Sequence, residues 1–382
     1  MNGGLLKVKG MTVRKILATN CKTTIELELE IEKGKVRSSI PMGTSTGKHE
    51  VKSFSPYHIV KNFPEVKKHF LGKEFKSQEE VDLKLKSIDG TKNFGMIGGN
   101  LALAISSSFL KAFALDNGKE VFEYLPGKRM PRLLANLAGG WGEESEIQEF
   151  LVFPEKQKSF KEAVSRIANA YLDLGHALKE EDKTFKFSKN YESAWVTNLS
   201  TRRILELLSG LCKEYDLRIG MDVGATDRWD GKTYISRSLE EHKKFISGLI
   251  EDFNIKFIED PFQEDDFDSF AWLTNQFKNV LVCGDDLYVT NPERLRIGIE
   301  KKATNSILVK PNQIGTITDV IRVMDMAKKH KMTTVMSHRS GTTDETLLSH
   351  LAVGLGSDLV KYGISGERII KINELMRIEE KI

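Results

Sequence analysis

The chain has 382 residues, enough for a small domain beside a barrel-sized one. Its 57 lysines and arginines nearly balance 54 aspartates and glutamates, and a net charge of +3 gives no reason to expect a nucleic-acid or membrane partner. Three isolated cysteines without a Cys-X-X-Cys pair argue against disulfides and structural zinc, and predict buried thiols. Because the sequence lacks a signal core and any bilayer-length apolar run, we expect a cytoplasmic protein.

The first third of the chain predicts an α+β unit. Polar and apolar residues alternate over 23–32, which predicts a half-buried strand, and a glycine turn returns the chain as a second strand over 36–40. Helical spacing dominates 77–125 and ends at a Pro-Gly pair. We therefore expect a first domain at 1–128 and a second at 129–382.

Two shorter segments follow these elements. Residues 41–48, Pro-Met-Gly-Thr-Ser-Thr-Gly-Lys, form a small-residue loop that is either a plain connector or a lid carrying Ser45. Residues 148–154 predict a short strand that begins with the carboxylate Glu149. A helix over 160–179 comes next, and a polar stretch without clear periodicity follows it.

From residue 217 onward one pattern repeats. Short apolar runs each end in a polar residue and each precede a helical stretch, at intervals of roughly 25 to 37 residues, the size of a βα unit. This spacing predicts an α/β protein with a (β/α)8-type, TIM-like barrel. Parallel barrel strands present their C-terminal ends at one mouth, so six residues should converge there: Asp222, Glu259, Asp285, Lys310, His338 and Lys361.

These strand ends suggest metal-assisted proton removal. Asp222, Glu259 and Asp285 are hard oxygen ligands, and the lack of cysteine or a histidine pair among them favours Mg²⁺ over zinc or copper. Lys310, desolvated beside other cations and Mg²⁺, can lose its proton near neutrality and act as a base. Lys361 would clamp a substrate carboxylate. The set therefore predicts proton removal next to a carboxylate.

The segment 335–346 predicts an anion site. A β-branched strand ends at Ser337 and presents His338, Arg339 and Ser340 before a glycine and the start of an apolar helix. The arginine fork suits phosphate or carboxylate, and the hydroxyls and helix N-terminus add neutral donors. An exposed polar loop is the alternative for this stretch alone.

Long motifs in the second half closely resemble the enolase family, and looser ones extend the likeness over nearly the whole chain. The long motifs are Ile-Glu-Asp-Pro-Phe-Gln-Glu-Asp-Asp at 258–266, Gly-Asp-Asp-Leu-Tyr-Val-Thr-Asn-Pro at 284–292, Leu-Val-Lys-Pro-Asn-Gln-Ile-Gly-Thr at 308–316, Ser-His-Arg-Ser-Gly at 337–341 and Arg-Ile-Glu-Glu at 377–380. The looser ones lie at 41–47, 88–90, 99–104 and 148–150. A lysine base with Mg²⁺ is the known pattern of that superfamily, and the resemblance implies the same pairing here.

The resemblance implies an N-terminal capping domain, an enolase-type barrel, and reversible dehydration of 2-phosphoglycerate to phosphoenolpyruvate with two Mg²⁺ ions. The implied ligands of the first ion are Asp222, Glu259 and Asp285, and Ser45 binds the second ion, which arrives with substrate. The implied substrate ligands are Lys361 for the carboxylate and Arg339 and Ser340 for the phosphate, within a cluster that includes Ser337. The implied proton-transfer residues are Lys310 as base, Glu192 (followed by Asn198) as acid, and Glu149 in support.

The chain departs from the family in its loops. Residues 139–145, Gly-Gly-Trp-Gly-Glu-Glu-Ser, lack the mobile histidine, which leaves His338 as the histidine expected at the mouth. The family's Asp-Glu-Gly-Gly has become Tyr-Glu-Ser-Ala at 191–194, with less backbone freedom. Two alternatives stay open: a related lyase or isomerase acting on another carboxylic acid, and a non-catalytic protein of the same fold. The resemblance implies a small phosphorylated carboxylate as partner and a homodimer or ring of dimers.

Overall fold

The computed structural model describes residues 5–43, 47–139 and 146–382. It contains an α+β cap and a closed barrel, the fold class that the sequence predicts. The elements of the cap are β1 (Leu6–Lys7), β2 (Gly10–Leu17), β3 (Thr23–Ile31), β4 (Gly34–Ser39), α1 (Pro56–Lys67), β5 (Glu74–Phe75), α2 (Gln78–Asp89), α3 (Gly99–Asp116) and α4 (Val121–Tyr124).

The cap is organised around the antiparallel sheet β2-β3-β4. Strand β3 buries Ile25, Leu27 and Leu29 and turns Glu28 outward to the guanidinium groups of Arg14 and Arg37, as its alternating pattern predicts. Helix α3 is apolar on nearly all sides because it packs against β3 and β4 and also contacts the barrel. The cap and the barrel therefore share one continuous core.

The barrel is built from the described residues of the second part of the chain. Its strands, in chain order, are β6 (Arg132–Gly139), β7 (Glu149–Phe153), β8 (Arg218–Asp222), β9 (Phe257–Glu259), β10 (Leu281–Gly284), β11 (Ser306–Val309), β12 (Thr333–Ser337) and β13 (Leu359–Gly363). Its helices are α5 (Phe160–Glu181), α6 (Thr201–Glu214), α7 (Leu239–Phe253), α8 (Phe267–Gln276), α9 (Pro292–Lys301), α10 (Pro311–Ile314), α11 (Ile317–Lys329), α12 (Leu347–Gly354) and α13 (Ile369–Glu379). The closed order is β10-β11-β12-β13-β6-β7-β8-β9.

Strand β7 differs from the other barrel strands because it runs antiparallel to both of its neighbours. Fewer than a dozen residues separate it from β6, too few for the crossover that a parallel pair requires. The reversal brings the first residue of β7, rather than the last, to the mouth. Glu149 consequently pairs in register with Asp222, the last residue of β8.

Apolar side chains fill the barrel interior and include the thiol of Cys283. Cys212 is buried as well, but Cys21 is exposed in a turn before β3, so the expectation of three buried thiols is wrong for that residue. Among residues 5–43, 47–139 and 146–382, no helix combines the length and apolar character needed to cross a membrane.

A buried polar network joins the cap to the barrel. Asp82 of α2 accepts hydrogen bonds from the backbone nitrogen of Thr318 at 2.9 Å and from its hydroxyl at 2.6 Å. Ser106 of α3 accepts from the backbone nitrogen of Ile317 at 2.9 Å, and Gln78 donates to both Asp82 and Ser106. Backbone N–H groups in the first turn of α11 thus donate hydrogen bonds to side chains of the cap rather than to water.

We expect Asp82→Ala to lower the free energy of unfolding by about 2 kcal/mol, because two donors on the half-buried Thr318 would lose their buried acceptor. Urea denaturation measures this change. Ser87→Ala, on the exposed side of the same helix, is the matched control and should stay within about 0.5 kcal/mol of the parent. Equal effects from the two substitutions would contradict the assigned role of Asp82.

Candidate active site

A polar cavity occupies the barrel mouth. Most residues singled out in the sequence line it, namely Glu149, Glu192, Asp222, Asp285, Lys310, Ser337, His338, Arg339, Ser340 and Lys361. Glu259 lies just beneath, in contact with Lys361. Ser45 and residues 140–145 lie outside the described residues.

Lys361, on β13, lies among three carboxylates. Its Nζ is 2.6 Å from Glu259 Oε2, 2.7 Å from Asp222 Oδ2 and 3.0 Å from Glu149 Oε2, and all four side chains are buried. Burial lowers the pKa of Lys361, but the carboxylates outweigh burial and raise that pKa well above its usual value. The lysine is therefore a permanent cation that links β13 to β7, β8 and β9.

Lys310, directly after β11, pairs with Asp285. Burial lowers the pKa of Lys310, yet the adjacent carboxylate has the larger effect, so the pKa is raised above its usual value. The pairing with Asp285 favours the protonated lysine, and the expectation that Lys310 loses its proton near neutrality beside other cations and Mg²⁺ stays a prediction. Gln313 also donates to Asp285, at 2.9 Å.

The mouth contains more negative charge than its lysines neutralise. Burial and the neighbouring Asp222 raise the pKa of Glu259, and burial with Asp285 raises the pKa of Asp286 to about 8. Burial and nearby carboxylates also raise the pKa of Asp260, which accepts backbone hydrogen bonds from Asp285 and Asp286. Carboxyl groups with raised pKa values lack sufficient positive charge around them, and this donor set fits a divalent cation.

The carboxylates that lie closest together are not the three predicted metal ligands. Carboxylate oxygens of Asp260, Asp285 and Asp286 lie within 4.8 Å of one another, whereas Asp222 and Glu259 contact Lys361 instead. A cation bound by Asp222, Glu259 and Asp285 would therefore share the first two carboxylates with Lys361 and the third with Lys310.

Arg339 follows β12 and is buried at the edge of the cavity. Its Nη1 donates to both carboxylate oxygens of Glu50, at 3.0 and 3.1 Å. Ser337 donates to the carbonyl of His338 at 3.1 Å, and Ser340 is half-buried. The interpretation of this stretch as an exposed polar loop is wrong, because Arg339 and His338 are only 6% and 5% exposed.

Glu192 and His338 meet on the other side of Lys361. His338 Nε2 is 3.4 Å from Glu192 Oε2, and Asn136 of β6 donates to the same oxygen at 3.3 Å. Burial lowers the pKa of His338 to about 4, so this ring is neutral at pH 7. Burial and the Glu192 charge raise the pKa of Glu149 well above its usual value, whereas the burial of Glu192 is outweighed by positive neighbours that lower its pKa, so Glu149 holds a proton more readily than Glu192 does.

The loop that carries Glu192 is held by its surroundings. Asn190 Oδ1 accepts from the backbone nitrogens of Glu192 and Ala194 at 2.9 and 3.1 Å, and Tyr171 donates to the carbonyl of Ser193 at 2.7 Å. Ser193 adopts φ of 61°, a conformation that glycine adopts more readily. Asn198 is directed elsewhere and donates to Thr184, so Asn136 is the amide that contacts Glu192.

Sequence reasoning missed five residues of the site, for different reasons. Asp260 and Asp286 each directly follow a predicted ligand, which was the available signal. Asn136 lies in β6, an apolar run whose type the pattern left open. Glu50 and Arg368 lie beyond the recognised motifs and reach the site only through tertiary packing.

We expect Lys361→Met to destabilise the protein by about 3 kcal/mol in chelator, because three buried carboxylates would lose their shared cation. Added Mg²⁺ should recover more stability in this variant than in the parent, since the lysine no longer competes for the oxygens. Thermal unfolding with and without Mg²⁺ tests both statements. Lys301→Met, at an exposed ion pair, is the control. Equal Mg²⁺ effects in all three proteins would contradict the competition.

Comparisons with known proteins agree with this architecture. The family model described as the enolase N-terminal domain matches residues 8–125, and the enolase C-terminal TIM barrel domain matches 130–382. An enolase of Archaeoglobus fulgidus is 38% identical over 98% of this chain and 97% of its own length. Enolases of Methanosphaera stadtmanae and Halobacterium salinarum are 37% and 35% identical, covering 98% and 99% of this chain and 97% and 100% of their own. The chain therefore belongs to the enolase family and is an enzyme of the lyase class.

Proposed function

We propose that the protein catalyses the reversible dehydration of 2-phosphoglycerate to phosphoenolpyruvate with Mg²⁺. One observation carries the proposal. In the closed order of the barrel, three strands separate β11 from β7 in either direction, so Lys310 and Glu149 stand on opposite walls of the mouth. Elimination across a carbon–carbon bond needs a base at one end and an acid at the other, and opposed walls suit both tasks.

The binding groups fit the same substrate. Lys361 would turn from its carboxylates to the substrate carboxylate, and Arg339 with Ser340 and Ser337 would hold the phosphate. Asp222, Glu259 and Asp285 would bind Mg²⁺, and we retain Ser45 as the proposed ligand of a second ion. Bound Mg²⁺ would neutralise the charge that develops on the substrate carboxylate when the adjacent proton leaves.

The protonation states support a division of labour. Lys310 can accept the C2 proton only after the Asp285 carboxylate is engaged by another cation, since that pairing holds the lysine proton. On the opposite wall, Glu192 would receive a proton from Glu149, whose pKa is raised, and give that proton to the 3-hydroxyl, which leaves as water. Neutral His338 would orient Glu192.

We expect the parent to form phosphoenolpyruvate from 2-phosphoglycerate in Mg²⁺, followed by its ultraviolet absorbance, and to stop when a chelator is added. Lys310→Ala should lower kcat by about 1000-fold, because the base is lost while the fold is kept. Lys301→Ala, a surface lysine, should retain parent activity. Full activity of Lys310→Ala would refute the assigned base, and a parent inactive with Mg²⁺ would refute the substrate.

A further inference from the structure

We propose that Arg368 is a positioning residue that fixes the acid loop, residues 190–194, against the arginine loop, residues 338–343. The inference rests on the proposed dehydration. In that reaction the acid loop carries the group that expels the 3-hydroxyl, and the arginine loop carries the phosphate ligands. One side chain would therefore set the distance between the two ends of the substrate site.

The contacts of Arg368 lead directly to this role. Its side chain is fully buried at 0% exposure, in the short turn between β13 and α13. Nη1 donates to the carbonyl of Arg339 at 3.1 Å, and Nη2 donates to the carbonyls of Ser340 and Tyr191. Within the described residues its hydrogen bonds go to backbone carbonyls of these two loops. The planar fork of arginine can serve both loops at once, whereas a lysine ammonium cannot match that geometry.

The backbone beside Arg368 forms a platform for the acid loop. A Cβ added to Gly363 would lie 2.2 Å from the carbonyl oxygen of Glu192, and one added to Gly366 would lie 2.2 Å from Ser193 Oγ. Real Cβ atoms do not approach backbone oxygen so closely, so the loop depends on glycine at Gly363. The acid loop therefore rests on the end of β13 while Arg368 ties it to the arginine loop.

Lys371 offers a natural comparison because it holds only one of the two loops. It is buried on α13, and its Nζ donates to Thr342 Oγ1 at 2.7 Å and to the carbonyl of Thr343 at 3.1 Å. A change at Lys371 should thus disturb phosphate binding while leaving the acid loop in place.

The two half-reactions make the proposal measurable. Lys310 removes the C2 proton and leaves a carbanion. A proton from the acid side then goes to the 3-hydroxyl, the carbon–oxygen bond breaks, water leaves and the C2–C3 double bond forms. If the acid loop is displaced, the carbanion instead regains a proton at C2. In deuterium oxide that proton is deuterium, so the substrate is labelled without dehydration.

The test compares the full-length parent with Arg368→Lys, in deuterium oxide with Mg²⁺ and 2-phosphoglycerate. Phosphoenolpyruvate formation and deuterium at C2 of the recovered substrate are measured together. We expect kcat for dehydration to fall about 10- to 100-fold, the scale of one to two hydrogen bonds to a charged group, and label incorporation per turnover to rise by about the same factor. Lys371→Met should raise KM and leave the labelling ratio unchanged.

Gly363→Ala is the second variant, because its Cβ would displace the Glu192 carbonyl while the guanidinium group is kept, although that Cβ would also lie 3.0 Å from Arg368 Cγ. It should raise the labelling ratio as Arg368→Lys does, and it decides the matter if Arg368→Lys fails to fold. An unchanged ratio in a folded variant, or equal loss of labelling and dehydration, overturns the positioning role while the proposed function stands. A parent that neither labels nor dehydrates 2-phosphoglycerate overturns the proposed function, and this inference with it.

Discussion

The contact of Lys361 with Glu149, Asp222 and Glu259 is the constraint on which the mouth depends. The three carboxylates belong to three neighbouring strands and are removed from water, so each requires a positive partner in the barrel. One ammonium group supplies that partner to all three, with 2.6 to 3.0 Å separations. Because Asp260, Asp285 and Asp286 add further carboxyl groups to the same mouth, the lysines there leave an excess of acidic groups that a divalent cation can offset.

The reversed direction of β7 places an acidic group, Glu149, at the mouth of the barrel. In a uniformly parallel barrel the end of β7 at the mouth would be Phe153, and Glu149 would lie at the opposite end. Reversal instead pairs Glu149 with Asp222 and brings it to Lys361 and Glu192. A carboxyl group with a raised pKa thereby stands across the barrel from Lys310. The short β6–β7 connection, a feature of chain length, thus places acid and base on separate walls.

The sequence predicts the parts of this site that follow from local pattern and fails where tertiary contacts decide. Asp222, Glu259 and Asp285 are predictable as strand ends because apolar runs followed by helices recur at barrel spacing. The protonation of Lys310 is not predictable this way, since it depends on which neighbour, Asp285 or a cation, lies closest. Asn136 is likewise not predictable, because it reaches Glu192 from β6, far away in the sequence, while Asn198 donates to Thr184.

The altered acid loop illustrates how tertiary contacts can replace local sequence preference. Where the family pattern has glycine, Ser193 adopts a left-handed conformation that costs an L-residue about 1 kcal/mol. Hydrogen bonds from Tyr171 to the Ser193 carbonyl and from Arg368 to the Tyr191 carbonyl offset that cost from outside the loop. Glycine lies instead on the receiving surface, at Gly363 and Gly366, where the Glu192 carbonyl and the Ser193 side chain approach most closely. The acid loop lacks the glycine pair of the family pattern, but the surface on which it packs is shaped to receive it. Glu192 therefore keeps a fixed position without those two glycines.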